Sequence, residues 1–283
     1  MRVLSLFDGI SCGKVALDRA GINISSYVAS EIDHNAIKVS KHNHRDIWRV
    51  GDVTKLNFKE GSFDLLLGGS PCQGFSLAGK GLNFEDPRSK LFFEYARILK
   101  EIDPEYFLLE NVVMKQECCD IISEILGVLP IVINSNLVSA QNRKRLYWTN
   151  IQNIIQPIDK NIMLKDVLQT KYSFTLYDKT CRIKSNQQKA GCLTGTANAA
   201  GNHSQMDVIV KHGEQIEFTD TGRIDIHCNP FIRRYSVTEC ERLQTLPDGY
   251  TSTVSNSQAY KCLINGWTVD VIAHILSYIK DNK

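Results

Sequence analysis

RVLSLFDGISCGKVALDRAGINISSYVASEID, residues 2–33, decides the fold. An apolar run, Arg2–Phe7, ends in Asp8-Gly9, the pattern of a buried strand entering a turn. GKVALDRAG (13–21) has helical spacing and closes on Gly21. YVASEID (27–33) returns as a strand. Strand, helix, strand within 32 residues predicts a parallel pair joined by a helical crossover. The unit repeats downstream. NAIKVSKHN (35–43) reads as a helix, WRVGDV (48–53) and FDLLLGG (63–69) as strands, and KLFFEYARILKEID (90–103) as a helix stopped before Pro104. YFLLENV (106–112), IVINSNLVS (131–139) and RLYWTNI (145–151) are further strands, with the helix CDIISEILGVL (119–129) among them. The expected fold is α/β, a Rossmann-like parallel sheet with helices on both faces. In such sheets ligands bind beyond the carboxyl ends of the strands.

The rest of the chain sets the boundaries. Its 283 residues suit one large domain carrying a small one. A net charge of +2 is too small to announce a polyanion partner, and no apolar stretch reaches the length of a membrane span. The apolar N-terminus meets an acidic residue at once, so it reads as a first strand and not as a signal peptide. Nine cysteines, an odd number without a CxxC pair, argue against a disulfide framework or a zinc site. Reduced thiols and no metal are expected. After about residue 155 the composition shifts. Residues 170–232 are rich in Thr, Asn, Gly, Lys and Asp and read as irregular and β-rich. Helical order returns at VTECERLQTLP (237–247), where Thr238 is a candidate cap, and at WTVDVIAHILSYIKDN (267–282). The second of these is amphipathic and is expected to fold back onto the first domain. The domains expected are 1–155, 156–231, and a return segment 232–283 completing the first.

Chemistry gathers at the strand ends. LFDGISCG is a glycine-containing turn but lacks the GxGxxG dinucleotide fingerprint. Glu31 ends the second strand, where a carboxylate can bind ribose hydroxyls, and Asp52 ends the third, where one can accept from an adenine amine. Three such turns in series favour an adenosine-containing ligand, leaving nicotinamide, flavin and S-adenosylmethionine open. Just past the fourth strand comes GGSPCQGFSLAGKG (68–81), a lone Cys72 in a polar, glycine-rich loop. A thiol at the ligand edge is a candidate nucleophile, weighed against a structural buried cysteine. Glu110 ends the fifth strand and could hold a proton. Gln141, Arg143 and Arg145 follow the sixth, where two guanidiniums could face a carbonyl or phosphate oxygen.

Together, Phe7-Asp8-Gly9, Ser70-Pro71-Cys72-Gln73, Glu110-Asn111-Val112, Gln141-Asn142-Arg143-Lys144-Arg145, Arg233 through Pro247 and Asn265-Gly266-Trp267 resemble, in order, the signature blocks of DNA cytosine-C5 methyltransferases. The likeness is to bacterial and phage enzymes, with first-turn and C-terminal features like the animal de novo enzymes. It implies methyl transfer from S-adenosylmethionine to cytosine C5 in double-stranded DNA. Cys72 would add to C6 of a flipped-out base, Glu110 would serve N3, Arg145 would contact O2, and Arg143 would support the site. Gln73–Arg88 would close over the base, with Ser76 and Lys80 on the flanking phosphates and Arg233 also on DNA. Phe7, Asp8, Gly9, Ile10, Ser11, Cys12, Glu31, Ile32, Asp52, Val53, Asn265, Gly266 and Trp267 would surround the cofactor. Residues 156–231 would be the target-recognition domain, where Lys184, Lys189, Lys211 and Arg223 are weighed as DNA contacts against solvated surface.

Two departures stand out: Ile264 where many members have glycine, and Ser11-Cys12 in place of a glycine pair. The resemblance further implies a monomer in the cytoplasm of a bacterial or phage-infected cell, associated with the nucleoid, and leaves room for a cognate restriction endonuclease. The competing readings are a tRNA cytosine-5 methyltransferase, a catalytically silent DNA-binding relative, and a nicotinamide dehydrogenase, the last disfavoured by the missing GxGxxG.

Overall fold

A computed structural model describes residues 1–70, 87–178, 180–194, 206–219, 223–226 and 229–281. The chain forms two compact units. The first comprises Met1–Asn134, Lys144–Gln156 and Val269–Lys283; the second, Ser135–Arg143 and Pro157–Thr268.

The first unit is a seven-stranded sheet with helices. Its elements are β1 (Arg2–Leu6), α1 (Cys12–Ala20), β2 (Ser26–Ser30), α2 (His34–Asn43), β3 (Trp48–Arg49), β4 (Leu65–Gly68), α3 (Pro87–Ile102), β5 (Tyr106–Val112), α4 (Gln116–Leu126), β6 (Ile131–Asn134) and β7 (Lys144–Thr149). The strand order is β3-β2-β1-β4-β5-β7-β6. Strands β1 to β5 are mutually parallel, whereas β7 runs antiparallel to both neighbours, β5 and β6. The mostly parallel, Rossmann-like sheet matches the expected fold class, with β7 the one strand that runs against both its neighbours. The period of a buried strand is the same in either direction, so the pattern could not report the reversal.

Local chemistry places these elements. β4 is buried at every position, Leu65 to Gly68, as a strand covered on both faces must be. α1 ends at Gly21, in the left-handed conformation with φ 66°. The Asp33 carboxylate caps α2, accepting from Asn35 N at 2.9 Å. The main core joins Leu4, Leu6, Leu66, Phe92, Tyr95, Leu109, Ile122 and Trp148. Helix α8, defined below, packs along α1, with Arg19 Nη1 2.6 Å from Asp270 Oδ1.

The second unit holds α5 (Leu164–Val167), β8 (Phe174–Tyr177), β9 (Val208–Lys211), β10 (Ile232–Arg233), α6 (Val237–Leu243) and α7 (Asn256–Asn265); α8 (Val269–Asp281) then returns to the first unit. Its three strands form an antiparallel sheet, β10-β9-β8, over a small core of Val208, Val210, Ile224 and Ile232. Ser236, not Thr238, caps α6: its hydroxyl accepts from Glu239 N at 3.2 Å while Ser236 N donates to Glu239 Oε2 at 2.8 Å. The apolar run Asn256–Ile279 is divided at Gly266–Thr268 into α7 and α8, and half of it is buried. The unit bounds differ from the boundaries expected at 155/156 and 231/232, since Ser135–Arg143 and residues 232–268 cluster with the second unit.

Candidate active site

The carboxyl ends of β1, β2, β4 and β5 share one edge of the first unit. Register puts Gly68 of β4 beside Leu109 of β5, so Ser70 comes level with Asn111, and Asn111 Nδ2 donates to Ser70 Oγ at 3.3 Å. Ser70 and Asn111 are both buried, at 5% and 1% exposure. Sequence reasoning quoted Asn111 without giving it a task. Its task is to tie the end of β4 to the end of β5 where the chain enters Pro71-Cys72. Cys72, Ser76 and Lys80 themselves lie outside the described residues.

The reversal of β7 matters here. Because β7 is antiparallel, its first residues sit at the carboxyl end of β5: Val112 faces Arg145 and Glu110 faces Tyr147. Glu110 and Arg145 thus lie diagonally on one face of the sheet. Arg145 Nε is 3.0 Å from Glu110 Oε1, and both side chains are largely buried, at 13% and 12% exposure. A partly desolvated guanidinium–carboxylate pair at a ligand edge can present donors to one acceptor and hold a proton near another.

At the other end of the edge, Glu31 organises the first turn. Its Oε2 accepts from Gly9 N at 2.8 Å, and its Oε1 accepts from Ile32 N at 2.7 Å and Asp33 N at 2.8 Å. A carboxylate has about four acceptor sites, so one remains for a ribose hydroxyl. Gly9 has φ +57°, and an added Cβ there would meet nothing within 4 Å. Ile32 is 68% exposed at the end of β2, an apolar surface suited to a flat ring. These features fit S-adenosylmethionine. Other expected contacts can reach a ligand only through backbone, since the side chains of Ile10, Ser11, Cys12 and Val53 are buried. Phe7 packs partly on the core. Asp8 is turned inward: burial pushes its carboxyl above the ordinary range, opposed by hydrogen bonds from hydroxyls that include Ser11 and Tyr27. Asp52 accepts from the backbone and hydroxyl of Thr54, which hold it below the ordinary range.

The remaining expected residues lie in the second unit. Arg143 is 5% exposed, and its guanidinium donates to the carbonyls of Leu193 (3.3 Å), Ile264 (2.9 Å) and Gly266 (3.0 Å). Its fork is committed to backbone instead of facing a ligand. Gln141, fully buried, accepts from Leu193 N at 2.9 Å and donates to Leu243 O at 3.1 Å. Gly266 caps α7, with Asn265 exposed and Trp267 half-buried beside it. Arg233, expected on DNA, forms a two-pronged pair with Glu239 at 2.8 Å per bond. Lys184 pairs with Asp207 at 2.9 Å, and Lys189 is buried, donating to the carbonyls of Asn136, Ser139 and Ile162. Lys211 lies over the Phe231 ring, 3.9 Å from its centroid, whereas Arg223 is exposed. Apart from the Arg233–Glu239 pair, six residues apart at the cap of α6, these destinations carry no local sequence signal. Among the described residues there is no cluster of His, Cys, Asp and Glu able to hold a metal.

Comparison with known proteins bears on what this edge does. A family model described as C-5 cytosine-specific DNA methylase matches residues 1–281. The chain is 32% identical over 303 residues to the type II methyltransferase M1.ScrFI of Lactococcus lactis subsp. cremoris, covering 96% of this chain and 76% of that protein. It is 37% identical over 186 residues to the orphan methyltransferase M.SPRI of Bacillus phage SPR, where the match covers 60% of this chain but only 42% of that protein. In fold it is similar to the Entamoeba histolytica methyltransferase EhMeth, with a TM-score of 0.73 at 19% identity, covering 100% of this chain and 98% of that one.

Proposed function

Because this chain belongs to the C-5 cytosine-specific DNA methylase family, we propose that its sheet edge carries out methyl transfer to cytosine C5 in duplex DNA with the residues named above in defined roles. S-adenosylmethionine, when bound, supplies the electrophilic methyl carbon that C5 takes. Glu31 would hold the ribose, Ile32 would lie against the adenine, and the backbone of Phe7–Cys12 would shape the seat.

Cytosine C5 is a poor nucleophile, and the protein's task is to make it a better one. A base within a duplex cannot present C6 to a thiol, so the target leaves the stack, at a cost of about a few kcal/mol. The Cys72 thiolate forms a bond to C6, and the displaced electron pair moves onto the ring. Glu110 holds a proton at N3, and the Arg145 guanidinium faces O2, so the charge is neutralised where it develops. After methylation a water takes the C5 proton, its bonding pair restores the double bond, and the S–C6 bond breaks. The observation that supports these roles best is the 3.0 Å approach of Arg145 to Glu110, two strands' ends brought together just beyond the chain's entry to Cys72. Arg143, spent on carbonyls, would act by positioning the segment that leads to Arg145.

Residues 1–155 with α8 would form the catalytic domain, and 156–231 would read the target. One chain would act on one duplex, in the cytoplasm and on nucleoid DNA. The type II name of the Lactococcus relative supports a cognate restriction endonuclease; the orphan name of the phage relative supports solitary action. Tritiated-methyl transfer to duplex DNA and to tRNA tests the reading, with DNA carrying 5-fluorocytosine as a trap. Label in DNA and a denaturant-resistant complex, both lost in Cys72→Ser, are expected. Label in tRNA alone, or turnover retained in Cys72→Ser, overturns it.

A further inference from the structure

The first turn is held in a costly conformation. Phe7, Gly9 and Ser11 all have positive φ, at 56°, 57° and 64°. Glycine adopts this region freely, but a side chain does not. Ser11 nevertheless sits there, fully buried.

What surrounds it is a directed chain of hydrogen bonds. Arg49 Nη2 donates to Ser40 Oγ at 2.7 Å, and Ser40 Oγ lies 2.6 Å from Ser11 Oγ. Ser11 Oγ donates to Asp8 Oδ2, and Tyr27 OH donates to Asp8 Oδ1 at 2.7 Å. Each hydroxyl has one proton. Since Ser11 spends its proton on Asp8, Ser40 donates to Ser11, and the series runs from Arg49 through Ser40 and Ser11 to one carboxylate. Tyr27 of β2 donates to Asp8 directly, while Ser40 of α2 and Arg49 of β3 are linked to it through Ser11. The carboxylate thus anchors a side chain at a position where glycine would need no anchor.

We propose that Asp8 is a positioning residue for the methyl donor: by holding the Ser11 hydroxyl it keeps the first turn in the left-handed course that seats S-adenosylmethionine. This rests on the reading of that turn as the cofactor seat. Asp8 does not touch the ligand; it acts through Ser11.

Titration calorimetry of the full chain with S-adenosylmethionine tests it, run on wild type, Asp8→Ala, Ser11→Gly and the double variant. A hydrogen bond to a charged group predicts that Asp8→Ala weakens binding about tenfold or more. With glycine at position 11 the anchor has no object, so adding Asp8→Ala to Ser11→Gly should cost less than about threefold. Steady-state kinetics should show the KM for S-adenosylmethionine rising in Asp8→Ala while the KM for DNA stays unchanged. Should Asp8→Ala fail to fold, Ser11→Ala against Ser11→Gly decides: the alanine keeps the strain and loses the hydroxyl, so it should bind about tenfold more weakly than the glycine. Wild type that binds no S-adenosylmethionine overturns the cofactor reading itself. Wild-type binding with Asp8→Ala equal to it, or an undiminished Asp8→Ala penalty in the Ser11→Gly background, overturns this inference alone.

Discussion

The Arg145 guanidinium meets the Glu110 carboxylate at 3.0 Å across β7 and β5, where the sheet changes from parallel to antiparallel pairing. The pair is intramolecular, yet it stands at the ligand edge. A side chain so placed lies within reach of a ring nitrogen presented at that edge.

Glu110→Gln should therefore keep the shape of the pair and lose the acid. Single-turnover methyl transfer is expected to fall about a hundredfold or more, the usual worth of a positioned acid or base. Equilibrium binding of S-adenosylmethionine should be unchanged. A Glu110→Gln enzyme with full single-turnover rate would remove the proton from the mechanism.

Two arginines separated by one residue should behave differently. Arg143→Ala strips partners from the carbonyls of Leu193, Ile264 and Gly266, the first of them buried, and should lower stability by about 3 kcal/mol in urea unfolding. Arg145→Lys should unfold close to the wild-type midpoint while turnover collapses, because an ammonium cannot reproduce the fork. Equal stability losses in both would contradict the division of labour.

Acid should act through Glu239. Burial raises its carboxyl, but hydrogen bonds from Arg233, Gln169 N and Ser236 N outweigh burial and leave it below the ordinary range. A depressed carboxyl stabilises above its unfolded pKa, and that contribution is lost as pH falls through the folded value. Unfolding midpoints of the wild type should thus drop as pH falls below about 4.3, the ordinary glutamate value. Glu239→Gln should be less stable at pH 7 and show a shallower decline. A wild-type decline no steeper than that of Glu239→Gln would rule the pair out as its source.

Gly68 is set by space, not by conformation. A Cβ there would come within 2.6 Å of the Tyr95 ring, itself fully buried. Gly68→Ala should cost about 1–3 kcal/mol by overpacking. Thermal unfolding checks it, and an unchanged midpoint would mean that the ring yields.

Much of this was legible in the chain, and what was missed has one cause. Periodicity and turn residues marked the strands ending near Asp8, Glu31, Gly68 and Glu110, because a buried strand must be apolar throughout and must leave through a turn. They could not show the direction of β7, which depends on a partner chosen elsewhere in the chain. The same holds for polar side chains. That Arg233 would meet Glu239 is a matter of six residues and a cap, and the capping pattern of Ser236 with Glu239 is readable, although the expected candidate was Thr238. That Arg143 would reach Gly266, 123 residues away, was not. Composition could suggest a basic cluster; only packing could say which members of it are already occupied.

The ladder of β7 also binds chemistry to folding. Arg145 and Tyr147 point to one side, while Leu146 and Trp148 point to the other and belong to the main core. A slip of one residue would drive the guanidinium into the hydrocarbon interior and expel the indole. The alignment that keeps the indole in the interior is therefore the same one that sets Arg145 beside Glu110, so a single ladder fixes both.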